Sequence, residues 1–169
     1  MRKTAPRFLT AGTTGPTSPT GSGSRARRST RPGSNVQFSS EPLQPQVQQN
    51  VVAGLAALPH AVTLLCYVDG RPAGLANCFE GFSTFSCRKL LNIHDITVLA
   101  EFRGLGLSQH LLREIEVVAR ERGCGKLTLE VLAGNEPAKC AYRKFGFDAY
   151  QLDPALGEAL FWQKSLAES

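Results

Sequence analysis

A chain of 169 residues with 42% hydrophobic and 20% charged residues has room for one ordinary globular domain and a tail, and is neither fibrous nor wholly disordered. Its net charge of +5 is unevenly placed: residues 1–40 hold seven of the 19 basic residues and none of the 14 acidic ones, leaving 12 basic against 14 acidic residues beyond them. The expected folded part therefore offers no generally cationic face to phosphate backbones, and no nucleic-acid partner is expected unless the basic tail supplies the contact.

Residues 1–40 are crowded with Ser, Thr, Gly and Pro and carry too little apolar surface to offset chain entropy, so a disordered basic tail is expected, followed by a domain over 41–169. Its Arg and Ser content superficially resembles a transit peptide, but Pro6, Pro16, Pro19 and Pro32 oppose the amphipathic helix such a segment needs. From Leu43, apolar residues at Val47, Val51, Leu55 and Leu58 recur at helical spacing until Pro59. Val62 to Val68 and Ala73 to Phe79 flank Asp69-Gly70 and read as a β-hairpin. Strands are predicted around Phe82–Phe85 and Leu91–Val98. Leu107 to Arg122 reads as an amphipathic helix ended by Gly123, with Leu111, Leu112, Ile115, Val118 and Ala119 on one face. A strand over Lys126–Leu132, a helix over Glu136–Lys144 and a strand pair at 147–152 and 160–164 complete an α/β order.

Five cysteines (Cys66, Cys78, Cys87, Cys124, Cys140) form no CxxC pair and mostly sit in apolar runs, which points to reduced thiols in a cytoplasmic protein. His60, His94 and His110 stand at no metal-ligand spacing, so no metal is expected. No run approaches the ~20 apolar residues of a spanning helix, and no membrane partner is expected.

The stretch His94–Leu112, HDITVLAEFRGLGLSQHLL, joins a strand to an amphipathic helix through a basic, glycine-bearing turn. Gly104 and Gly106 let a ligand approach the backbone, the helix start aims N–H groups and positive dipole at it, and Arg103 adds a forked cationic donor. An anion site is the result, although a glycine turn before a helix is also a common plain bend. Neither a P-loop nor a dinucleotide fingerprint fits, because Gly106 is followed by Leu107-Ser108 and position 109 is Gln109.

Arg103-Gly104-Leu105-Gly106-Leu107-Ser108 resembles the pyrophosphate loop of the GNAT superfamily of N-acetyltransferases, Gln/Arg-x-x-Gly-x-Gly/Ala, with Ser108 at the last small position. LTLEVLAGNEPAKCAYRKFGF at 127–147 is similar to the strand, Asn, Ala, Tyr and Gly-Phe succession that follows in that family, and CFEGFSTF and NIHD resemble a bacterial subgroup of small members. The resemblance covers roughly 42–166 and implies a mixed, mostly antiparallel sheet flanked by helices, with parallel strands at 92–98 and 127–132 that splay apart. The tail stands where the family's first strand and helix usually lie, so strand 62–68 is expected to have an uncovered edge, a plausible homodimer contact.

Acetyl-CoA is the co-substrate that the resemblance implies, without a metal. Its arm would pair with backbone near Ile96 and Val98, its pyrophosphate would lie on Arg103 to Ser108, and Asn135 would bond the arm. Tyr142 stands at the position of the family's general acid. His94 is the base candidate that would free an amine acceptor for attack, because it shares a strand with Ile96, on the same face, and histidine as a type suits the task; Glu80 and Glu130 are alternatives. Phe79, Phe82 and Phe85 are candidates for an acceptor wall. The implied activity is acetyl transfer from acetyl-CoA to a primary amine of a small molecule, amino acid or protein. Alternatives are a non-catalytic coenzyme A-binding module, a truncated inactive domain, or an interaction protein acting through its basic tail.

Overall fold

The structure, a computed structural model, describes residues 6–11, 43–149, 162–164 and 166. Five strands form one sheet in the order β1-β2-β3-β4-β5, where β1 is Arg7–Ala11, β2 Ala61–Val68, β3 Arg71–Ser83, β4 Arg88–Val98 and β5 Lys126–Leu129. The first four are antiparallel neighbours, and β5 runs parallel to β4. Helix α1 (Pro45–Ala56) lies near β2, α2 (Leu107–Glu121) packs on β2 to β5, and α3 (Glu136–Phe145) lies beside α2.

Each element follows from local chemistry. Asp69 and Gly70 both hold positive φ, at 50° and 74°, which suits the tight turn between right-twisted strands β2 and β3. Alternation buries Val62, Leu64 and Cys66 of β2 under α2, whose Leu107, Leu111, Leu112, Ile115 and Ala119 meet them in the core. The side chain of Asn135 caps α3 by accepting from the Ala138 N–H at 3.3 Å, and Gly146 at φ 105° ends it.

Several expectations are corrected. Residues 7–11, assigned to a disordered tail, form β1 and pair antiparallel with β2, from Arg7 opposite Tyr67 to Ala11 opposite Thr63. A segment of five residues shows no periodicity by itself, and the ladder of β2 supplies the backbone partners that make it a strand. The edge of strand 62–68 expected to be open for a dimer is thus occupied. The α1 stripe, in turn, is not buried: Val47 and Val51 remain 43% and 37% exposed among the described residues. Of the strand pair expected at the C-terminus, 147–149 and 162–164 have no regular structure and 150–161 lie outside the described residues.

The β3–β4 contact leaves no room for a side chain at Gly74, where a Cβ would stand 2.6 Å from the Thr97 carbonyl oxygen and 3.4 Å from Val98 Cα. Backbone there cannot yield as a flexible side chain would. Gly74→Ala is expected to destabilise the protein by ~1–3 kcal/mol, read as a melting midpoint lower by several degrees in a thermal scan. An unchanged midpoint would show that β4 can shift away.

Candidate active site

Among the described residues, pairing between β4 and β5 covers Leu90↔Lys126 to Ile93↔Leu129, while β4 continues to Val98 against β3 on its other side. Beyond that pairing lies a cleft of about 230 Å³ lined by Ile96 and Val98 of β4, by Phe102, Arg103, Gly104 and Gly106 of the connecting turn, by Leu107 and Ser108 of α2, and by Ala141 and Tyr142 of α3.

The turn offers N–H donors and positive potential of the kind an anion takes. Gly104 and Gly106 hold φ at 76° and 77°, in the left-handed region that favours glycine, and a Cβ at either would meet nothing within 4 Å. The Gly106 carbonyl already accepts from the Gln109 and His110 N–H groups, while the Leu107 and Ser108 amides at the start of α2 have no acceptor among the described residues. Helix dipole and exposed Arg103 add positive potential. Arg103 is folded back so that Nε donates to the Val98 carbonyl at 3.3 Å, which brings its charge to the cleft wall. These groups fit a pyrophosphate-bearing ligand such as coenzyme A.

Tyr142 lines the same cleft and is only 6% exposed, its ring edge-on to Phe147 at a centroid distance of 5.9 Å. Burial disfavours the phenolate and pushes the Tyr142 hydroxyl up to about 12. The hydroxyl is held in its neutral, protonated form.

His94 departs from its expected position. The register passes from Cys78↔Ile93 to Asn77↔Asp95 to Ala76↔Ile96, so β4 carries one extra residue here. The bulge keeps Ile93 and Ile96 together on the α2 face and turns His94 and Asp95 to the other. His94 stacks edge-on against Phe79 at 5.4 Å, and Asp95 Oδ2 accepts from Asn77 Nδ2 at 3.2 Å, Asn77 being bonded in turn by the Thr63 hydroxyl at 2.9 Å. His94 therefore does not share a face with Ile96: it is an exposed side chain on the sheet face away from α2.

A larger hollow of about 290 Å³ lies between the end of α2, the start of β5 and the end of α3. Of the two, the smaller cleft has the chemistry. The larger is lined by no helix start, its Gly146 ending α3 rather than opening a helix, and the thiol beside it, Cys124, is pushed up by burial and is a poor nucleophile.

The family profile described as Acetyltransferase (GNAT) family matches residues 28–147. The chain belongs to the GNAT acetyltransferase family. Streptothricin acetyltransferase of Streptomyces lavendulae is 43% identical over 88 residues, covering 52% of this chain and 44% of that protein. Thialysine N-epsilon-acetyltransferase of Bos taurus is 34% identical over 83 residues, covering 46% and 48%. The chain thus spans about half the length of the curated relatives it matches. Among solved structures, AAC(6')-Iy in complex with the bisubstrate analogue CoA-S-monomethyl-acetylneamine superposes with a TM-score of 0.61 at 16% identity, over 73% of this chain and 82% of that one. The mixed five-stranded sheet with flanking helices is the GNAT α/β fold.

Within this GNAT fold, Ile96, Val98, Arg103, Gly104, Gly106, Leu107, Ser108 and Tyr142 of the sequence-predicted site come together around one cleft. Leu105 is 55% exposed, and Asn135 spends its side-chain oxygen on the α3 cap; neither is among the residues lining the cleft. Phe102, Pro137, Ala138 and Ala141 line it without having been singled out. For α3 the signal was present, since Ala138, Ala141 and Tyr142 fall at i, i+3 and i+4 on one helical face. Phe82 and Phe85 line neither hollow among the described residues: they are 59% and 100% exposed near the β3–β4 turn. Glu80 is bound by Lys89 at 2.8 Å and by Arg122 at 3.6 Å, and its hydrogen bond from Lys89 holds the carboxyl below the usual glutamate range, which makes it a poor base. Among the described residues no helix is long and apolar enough to cross a membrane, and no His/Cys/Asp/Glu group of a kind to hold a metal is found.

Proposed function

We propose that the protein is an acetyl-CoA-dependent N-acetyltransferase that delivers acetyl to a primary amine of a small molecule, amino acid or protein by direct attack. The observation that carries this is the meeting of three features in one cleft: Ile96 and Val98 of β4 beyond its pairing with β5, the glycine turn opening α2, and the buried Tyr142 hydroxyl. Support for an amine acceptor comes from the name of the thialysine relative and from the acetylneamine part of the bisubstrate analogue.

Leu107 and Ser108 amides with Arg103 bind the pyrophosphate, and β4 backbone near Ile96 and Val98 holds the arm and orients the thioester carbonyl. Asn135, through its amide nitrogen, is assigned to the arm. His94 takes the proton of the attacking amine, and Tyr142 gives its proton to the departing sulfur as the C–S bond breaks and the C–N bond forms. Because His94 stands on the face away from α2, the amine is received from that side through the parted strands, opposite the α2 and α3 wall. The setting is cytoplasmic, in keeping with five unpaired cysteines.

The test is thiol release from acetyl-CoA with a panel of amines. Release with at least one primary amine supports transfer, whereas tight coenzyme A binding without release across the panel supports the non-catalytic module instead. His94→Ala is expected to lower kcat/KM about tenfold near pH 7, less than most general bases, because water reaches this exposed side chain. The deficit is expected to shrink toward pH 10, where an alkyl amine deprotonates unaided. A deficit independent of pH would remove His94 from proton uptake.

A further inference from the structure

Helices α2 and α3 carry the two halves of the proposed chemistry, the anion-binding turn and the Tyr142 hydroxyl, and something must hold them in step. Among the described residues a single side-chain hydrogen bond joins them: Gln109 Nε2 donates to the Ala141 carbonyl at 2.8 Å. Both ends sit close to the chemistry. Gln109 lies in the first turn of α2, its own N–H bound to the Gly106 carbonyl at 3.1 Å, and Ala141 immediately precedes Tyr142, both lining the cleft. A helix of ten residues has little stability of its own, so its placement depends on tertiary contacts such as this one.

We infer that Gln109 is a positioning residue that fixes the Tyr142 hydroxyl relative to the phosphate-binding turn, so that the hold on coenzyme A and proton delivery to the leaving sulfur share one rigid frame. The inference rests on the acid role proposed for Tyr142. Gln109 touches neither substrate nor reacting atoms in this scheme. Its effect runs through the backbone carbonyl of Ala141 and the register of α3 against α2. Position 109 belongs to no part of the loop motif, and its side chain is only half buried, so the amide is replaceable without opening the core.

The experiment is a double-mutant cycle on the full chain with Gln109→Leu and Tyr142→Phe, following kcat and coenzyme A binding. Gln109→Leu alone is expected to lower kcat by roughly 5- to 20-fold, in the range that a misplacement well under 1 Å produces, with coenzyme A affinity within about twofold of the parent. In the Tyr142→Phe background the same change is expected to cost no more than about twofold, because there is no proton left to aim. Gln109→Glu, equal in size but without the donor, is expected to repeat the loss and carries the cycle if the leucine variant does not fold. Gln109→Lys, which keeps a donor, is expected to recover most of it. An equal loss in both backgrounds, or an unchanged kcat in Gln109→Leu, overturns the positioning role while leaving that of Tyr142 intact. A Tyr142→Phe variant with undiminished kcat overturns both.

Discussion

Tyr142→Phe is expected to lower kcat by ~10²-fold or more while coenzyme A still binds, the usual scale for loss of a general acid. Phenylalanine keeps the ring, its burial and its edge-on contact with Phe147, so the change removes one hydroxyl and little packing. The pH profile gives an independent check. Burial raises the Tyr142 hydroxyl from the ordinary 10 to about 12, so the neutral, proton-carrying form persists as pH rises through 10 and is lost only near 12. The sign carries through to stability: a phenol whose folded value is raised favours the folded state below pH 10 and loses that contribution as pH passes the raised value. No alkaline fall in kcat from this group is therefore expected below about pH 10. An unchanged kcat in the phenylalanine variant would remove Tyr142 from proton transfer, and a Tyr142-dependent fall in kcat at pH 8–9 would contradict its buried, neutral state.

Gly106→Val is expected to weaken coenzyme A binding at least tenfold and toward ~10²-fold. The residue holds φ 77°, where a β-branched side chain costs ~1–3 kcal/mol of backbone strain. A Cβ there would meet no protein atom within 4 Å, so the added side chain enters open space at the cleft wall, where phosphate is proposed to lie. Gly123→Val is the control. Gly123 follows α2 at φ 72°, also has open space around it, and lines neither the turn nor the cleft. Both variants should lose similar stability in a thermal melt, and only the Gly106 variant should lose coenzyme A affinity by calorimetry. Equal affinities in the two variants would detach the glycine turn from phosphate binding.

Much of this site was legible because it is local. Arg103 to Ser108 form one continuous turn leading into α2, where a glycine-bearing turn was expected, and the structure adds the left-handed backbone of Gly104 and Gly106. Tyr142 was legible through the succession around it, and the structure adds what succession cannot show: the depth of its burial and the partner of its ring. His94 shows the limit. Strict alternation along β4 puts residues 94 and 96 on one face, but one extra residue against β3 reverses the parity, and a bulge depends on the partner strand's register. Asn135 shows another, since a residue in the right motif position proves to spend its oxygen on a helix cap.

The amino-acid sequence by itself determined the elements whose cause lies within a few residues: the amphipathic α2, the Asp69-Gly70 turn, the capped α3 and the glycine turn between β4 and α2. Backbone torsion and side-chain periodicity are local quantities, so a local string encodes them. Tertiary structure decided which strand covers β2, where the pairing of β4 with β5 ends, which face receives His94, and that Gln109 ties α2 to the helix of Tyr142. Those outcomes depend on pairing between segments tens of residues apart, where a shift of one residue exchanges the two faces of a sheet, and only the folded chain selects the register.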